Sequence, residues 1–112
     1  MNIQLFGTKK CFDTKKAERY FKERNIKYQF IDLTIKGLSN GELLSVKNCV
    51  GINNLINTKS KDYKKLNLDQ IRGEECKIDI LLKNQQIVIT PIVRNGKQAT
   101  VGYVPDIWTT WE

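Results

Sequence analysis

Cys11 is the residue in this chain best placed to do chemistry. It lies in the run Ile3-Gln4-Leu5-Phe6-Gly7-Thr8-Lys9-Lys10-Cys11-Phe12-Asp13-Thr14-Lys15-Lys16-Ala17. An apolar-alternating strand (Ile3, Leu5) ends at Gly7, a short basic loop follows, and the cysteine falls where a helix begins. A thiol at a helix N-terminus faces unpaired backbone N–H groups and the positive end of the helix dipole. Nearby lysines push the same way, so the thiolate is expected to form well below the free-cysteine pKa of about 8.5. Oxyanions bind at the same kind of place. The implied chemistry is a sulfur nucleophile; the alternative is a cysteine that only packs. Thr8 and Thr14 are spaced to hydrogen-bond the sulfur or an oxyanion, and Thr14 equally suits helix capping.

Composition removes several other chemistries. The chain has three cysteines, Cys11, Cys49 and Cys76, and no histidine. No Cys-x-x-Cys pair exists, so a structural zinc site is excluded, as are Cys–His and Ser–His catalytic pairs. Any activation of Cys11 must come from the dipole, lysine, arginine or hydroxyl groups. Cys49 and Cys76 are expected to be buried helix residues rather than resolving thiols. The formal charge of +7 favours an anionic substrate or an acidic protein partner. The lysines are scattered, dense only at Lys9–Lys10–Lys15–Lys16 and Lys59–Lys61–Lys64–Lys65, so direct nucleic-acid binding is not expected. At 112 residues and 40% apolar content the chain reads as one domain with a single core. No run of about 18 apolar residues and no signal peptide is seen, which predicts a cytoplasmic protein without membrane contact.

The elements that must hold Cys11 follow from periodicity. The first helix carries Ala17, Tyr20 and Phe21 on one face and Lys15, Lys16, Arg19 and Lys22 on the others, and should end near Arg24–Asn25. Residues 26–33 alternate as a second strand, giving a βαβ unit with parallel strands and a right-handed crossover. Thr34 to Gly41 is a polar connection. Short helices are then expected at Glu42–Lys47, capped by Ser39 or Asn40, at Gly51–Asn57, at Thr58–Leu66 and at Cys76–Lys83. Residues 34–84 thus form a mainly helical block. Gln86–Arg94 reads as a strand, Asn95-Gly96 as a type I′ hairpin turn, and Gln98–Tyr103 as the return strand. Pro105 opens a last helix with Ile107, Trp108 and Trp111. Pro91 cannot donate to a ladder, and a cis Thr90–Pro91 bond meets that demand.

The whole chain resembles the arsenate reductase (ArsC)/Spx/YffB family. The matching residues are Leu5-Phe6-Gly7-Thr8-Lys9-Lys10-Cys11 with Thr14-Lys15-Lys16-Ala17, then Ile56-Asn57-Thr58-Lys59-Ser60 with Tyr63-Lys64-Lys65-Leu66, Pro91-Ile92-Val93 and Val101-Gly102-Tyr103. The resemblance implies an α/β, thioredoxin-like mixed sheet. A βαβ half (1–33) and a ββα half (85–112) flank a helical insertion (34–84). It implies Cys11 as the nucleophile, with no bound cofactor or metal, and glutathione or another thiol as co-substrate, with glutaredoxin as a partner. The expected ligand is a small oxyanion or thiol, met by Thr8, Lys10, Thr14, Lys15, Lys59, Thr90, Pro91 and Arg94. In the reductase members one arginine stands directly before the cis-proline and another on the return strand; here those places hold Thr90 and Gly102–Tyr103. Lys10, Lys15 and Lys59 supply charge without the planar fork of a guanidinium. Spx members are instead transcription regulators that bind the C-terminal domain of the RNA polymerase α subunit. They usually carry a Cys-x-x-Cys switch, which here reads Cys11 to Thr14, and Gly51 falls at their polymerase contact.

Overall fold

The computed structural model describes residues 2–111. Four strands, β1 (Ile3–Gly7), β2 (Tyr28–Asp32), β3 (Ile92–Asn95) and β4 (Gln98–Val101), form one sheet in the order β2-β1-β3-β4. β1 is parallel to β2 and antiparallel to β3, and β3 and β4 form an antiparallel hairpin. Helix α1 (Phe12–Glu23) crosses from β1 to β2, and α5 (Pro105–Trp108) follows β4. Between the two halves lie α2 (Asn40–Val50), α3 (Lys61–Lys65) and α4 (Glu74–Lys83), linked through single 3-10 turns. Among the described residues no helix is long and apolar enough to cross a membrane.

β1 is the central strand, and its two faces feed two separate layers. Successive strand residues point to opposite sides, and the register sets Leu5 beside Val93 and Phe6 beside Ile92. Ile3, Leu5 and Val93 pack under Ala17, Tyr20 and Phe21 of α1 and Trp108 of α5. Phe6 and Ile92 face the insertion, against Leu43 and Val46 of α2, Leu81 of α4, and Leu55, Ile56, Ile87 and Val88. With both faces covered, the strand reads as nearly continuous apolar sequence. Trp108 closes the first layer, its Nε1–H donating to the buried Thr100 Oγ1 at 2.8 Å.

The helix ends follow local chemistry. Asn25 takes the left-handed conformation (φ 58) after α1. The N–H of Ile26 bonds the Phe21 carbonyl at 2.9 Å and that of Asn25 bonds Lys22 at 3.1 Å, a Schellman end. Ser39 caps α2 in a reciprocal box with Glu42.

Four expectations need correction. Gln86–Arg94 is not one strand: Gln85–Ile87 is a 3-10 turn, Val88 makes a lone bridge to Ile56, and β3 starts only at Ile92. The run is apolar because Ile87 and Val88 are buried under the insertion, and Pro91 cannot extend the ladder. The hairpin turn is centred on Gly96–Lys97, with Asn95 paired to Gln98 and positive φ at Gly96 (φ 61) but not at Lys97. That is the pattern of a type II′ turn, not type I′. The return strand stops at Val101, because Gly102 (φ 82) leaves the ladder and gives its N–H to the Pro91 carbonyl at 2.8 Å. Cys49 and Cys76 are exposed, not buried: Leu43 and Val46 form the buried side of α2 and Leu81 that of α4.

Candidate active site

β1 delivers the chain to the sulfur. After Gly7 a tight turn closes with the Cys11 N–H on the Thr8 carbonyl (3.2 Å), and Cys11 becomes the N-cap of α1 in extended conformation (φ −81, ψ 121). The first amides of the helix then have no backbone partner. Those of Asp13 and Thr14 lie close enough to the sulfur to favour its anion. Its Sγ lies 3.6 Å from the carbonyl of Thr90, to which the thiol donates, and the Thr90–Pro91 bond is cis.

Burial pushes the Cys11 thiol up, but the neighbouring hydroxyls of Thr14 and Thr90 and N–H groups of Thr14 and Asp13, which favour the anion, outweigh it. The group is held below the ordinary thiol value. Thr14 is the informative member. Its side chain is 1% exposed, and its Oγ1 has no formed hydrogen bond among the described residues. An unsatisfied buried hydroxyl costs about 1–3 kcal/mol, so an ionised sulfur supplies the acceptor it lacks. Gly7 makes room for it: a Cβ there would stand 2.5 Å from Thr14 Oγ1 and Cγ2.

Cys11 opens into a cleft of about 830 Å³. The cleft gathers the start of α1, the turn after β2 (Leu33, Thr34), the turn Ile56–Lys59, and the segment from Gln85 to Thr90. Asp13 and Lys59 are its charged residues; Thr8, Thr34, Asn57, Thr58, Gln85, Gln86 and Thr90 provide neutral donors and acceptors. Of the residues expected at the site, Cys11, Thr8, Lys59 and Thr90 line this cleft, Thr14 is buried beneath the sulfur, and buried Pro91 shapes the wall through its cis bond. Lys10 and Lys15 are exposed outside the lining, and Lys15 Nζ stands 6.0 Å from the Phe12 ring centroid. Gly51 is exposed at the end of α2, also outside the cleft.

Arg94 does not join the site. Its Nη1 donates to Gln4 Oε1 at 3.0 Å and approaches Glu42 Oε2 at 3.8 Å, as the strand phase of a residue three beyond Pro91 requires. No arginine lines the cleft.

Sequence reasoning missed Asp13, the Leu33–Thr34 edge, and Gln85 and Gln86 as wall residues. Asn57 and Thr58 were visible only as part of a matching motif. Gln85 carried no local signal, since its partner Leu38 is 47 residues away.

Comparison with known proteins bears on the family and the fold. The global transcriptional regulator Spx 2 of Oceanobacillus iheyensis is 27% identical over 110 residues, covering 95% of this chain and 80% of that protein. The solved structure of arsenate reductase from Vibrio cholerae has a TM-score of 0.88 at 20% identity, covering 98% of this chain and 97% of that one. The glutaredoxin-like protein NrdH-redoxin from Escherichia coli has a TM-score of 0.52 at 12% identity, covering 100% and 96%. The last two likenesses are of fold, and the fold is thioredoxin-like. A family model for the ArsC family matches residues 6–111, a span that takes in the end of β1, Cys11, the insertion and the cis-proline, and the chain belongs to that family.

Proposed function

We propose that this protein is a one-cysteine thiol oxidoreductase of the arsenate-reductase type, with Cys11 as nucleophile and an external thiol such as glutathione as reductant. The observation that carries the reading is the Cys11 sulfur at the N-terminus of α1, held at 3.6 Å from the Thr90 carbonyl and open to the cleft. The thiolate attacks one sulfur of a disulfide, the S–S bond breaks, and a mixed disulfide on Cys11 forms as one thiolate leaves. A second external thiolate, from glutathione or glutaredoxin, attacks the mixed disulfide and returns Cys11 to the thiolate. Electrons balance, because each cycle takes up one external thiolate, releases one, and replaces one disulfide with another.

The lining favours a thiol or disulfide over arsenate as the natural ligand. A tetrahedral oxyanion is best gripped by planar guanidinium forks, and the cleft offers one lysine and a row of neutral hydroxyl and amide groups. Such groups suit the peptide bonds of a glutathione-like molecule.

Two assays test this. Release of cysteine from cystine, with reduced glutathione and glutaredoxin as the external thiols, is expected to turn over in the native protein and to fall to background in Cys11→Ser. Arsenate with the same thiols is expected to give no turnover above that control. Arsenate turnover well above it would return the oxyanion to the role of substrate, and disulfide exchange unaffected by Cys11→Ser would end the proposal.

A second reading is a regulator of the Spx kind, supported by a relative so named and by Gly51. Gly51 is exposed at φ 85 and ψ 146, with open space where a Cβ would project. On this reading the chain binds the C-terminal domain of the RNA polymerase α subunit, and Gly51→Arg abolishes binding without lowering the melting temperature by more than a few degrees. Absence of binding in the native protein removes this reading.

A further inference from the structure

One wall of the Cys11 cleft is the segment 85–90, and its first residue ties it to the loop after β2. The side chain of Gln85 reaches across to the loop after β2. Its Oε1 accepts the N–H of Leu38 at 2.5 Å, and its Nε2 donates to the carbonyl of the same residue at 2.8 Å. A single carboxamide therefore pairs both backbone groups of one residue, as a neighbouring strand would. Glutamine presents a donor and an acceptor side by side with the reach to do this; glutamate loses the donor and lysine the acceptor. Gly37 permits the approach, since a Cβ there would stand 2.5 Å from Nε2 and 2.6 Å from Oε1 of Gln85. Leu38 is itself anchored in the core at 4% exposure.

The tie joins two walls. On one side is the loop that continues from Leu33 and Thr34; on the other are Gln86, Val88, Ile89 and Thr90, and all six line the cleft. The same segment is pinned twice more, by the Val88–Ile56 bridge and by the Thr90 carbonyl against Cys11 Sγ. Those two contacts hold it to the turn at 56 and to the sulfur, and neither reaches the β2 side.

We infer that Gln85 is a positioning residue for the Cys11 site, its carboxamide fixing the spacing between the β2-side wall and the Thr90 wall and so the angle at which a bulky disulfide meets the sulfur. This rests on the thiol-exchange reading of the cleft. With oxidised glutathione the step is complete in itself: Cys11 thiolate displaces one glutathione thiolate, leaving a Cys11–glutathione disulfide.

Two probes separate reach from reactivity. Iodoacetamide is small and reports the sulfur alone, whereas oxidised glutathione must seat in the cleft. Both rates are read on the Cys11 peptide by mass spectrometry, because Cys49 and Cys76 are exposed and also react. Gln85→Ala is expected to keep the iodoacetamide rate within about twofold and to slow oxidised glutathione about tenfold, the scale of a modest misplacement of reacting groups. Gly37→Ala, which displaces the same carboxamide from the opposite side, is expected to do likewise.

Gln85→Glu adds a readout that a packing role does not move. A carboxylate has no donor for the Leu38 carbonyl, but the protonated acid again offers one donor and one acceptor. The ratio of the two rates should climb back toward the native value as pH falls from about 7 to about 5, the side of neutrality where glutamate protonates. In the native protein the ratio should stay flat, because both reactions consume the same thiolate. Fast exchange shared equally by native protein and the Ala variants, equal slowing with both probes, or a flat ratio in Gln85→Glu overturns the inference and leaves thiol exchange standing. A native protein no faster with oxidised glutathione than a free thiol of equal thiolate fraction overturns the exchange reading and this inference together.

Discussion

The start of α1 and the end of α2 each present a cysteine, and they do opposite things with it. At the start of α1, Cys11 faces N–H groups and two threonine hydroxyls at the mouth of a cleft. At the end of α2, the exposed Cys49 Sγ donates to the carbonyl of Lys97 in the β3–β4 turn at 3.0 Å, beside a groove of about 630 Å³. A helix offers donors at its first turn and acceptors at its last. Both sulfurs lie within reach of a carbonyl, so what sets Cys11 apart is the first-turn N–H groups beside it. Residue type is shared; on the proposed reading, the place at a helix start is what makes Cys11 the nucleophile.

The largest expected effect tests that contrast directly. At about pH 6.5 the Cys11 peptide should alkylate more than tenfold faster than the Cys49 peptide, as a thiolate held at a helix N-terminus requires. Equal rates in a quantitative mass-spectrometric time course would erase the difference between the two ends.

Next comes the seat of Thr14. Gly7→Ala drives a Cβ into the Thr14 side chain, and overpacking of this kind costs about 1–3 kcal/mol. Denaturant unfolding should show that loss, together with slower alkylation of Cys11 at neutral pH. Unchanged alkylation with lowered stability would separate Thr14 from the sulfur chemistry.

A smaller effect lies in the pH dependence of stability. Folding lowers the Cys11 pKa, so between the folded and unfolded values the unfolded chain binds more protons and stability rises with pH. The contribution is fully present above the unfolded thiol's value of about 8.5 and is lost as pH falls through the folded one. Denaturation midpoints of the native protein should climb across that window relative to Cys11→Ser. The reverse slope would mean that burial prevails over the hydrogen bonds.

The smallest effect belongs to Arg94. Arg94→Gln removes a partly exposed contact with Glu42 and a hydrogen bond to Gln4, worth about 1 kcal/mol or less. Cys11 alkylation and disulfide exchange should not change. A fall in exchange would bring Arg94 back toward the substrate.

How far the sequence could be read varies along the chain. Ile3 to Asn25 was legible because its signals are local: alternation in β1, the apolar spacing of Ala17, Tyr20 and Phe21, and a left-handed asparagine to end the helix. The cap of α2 at Ser39 was legible for the same reason. Gln86–Arg94 misled because burial under a neighbouring layer and burial within a sheet leave the same apolar run. Cys49 and Cys76 misled because a short, weakly amphipathic helix does not announce which side meets the core.

What the sequence determined by itself was the chemistry available at one point: a thiol at a helix start, no histidine to assist it, hydroxyls at Thr8 and Thr14, and a proline that had to leave the ladder. Tertiary structure alone decided which distant groups share that point. Thr90 comes to Cys11 from 79 positions along the chain, Gln85 ties its wall to Leu38, and Arg94 is turned away to Gln4 and Glu42. The physical reason is that capping, turns and periodicity act over a few residues, whereas a cleft is made by segments whose separation in sequence carries no record of their distance in space.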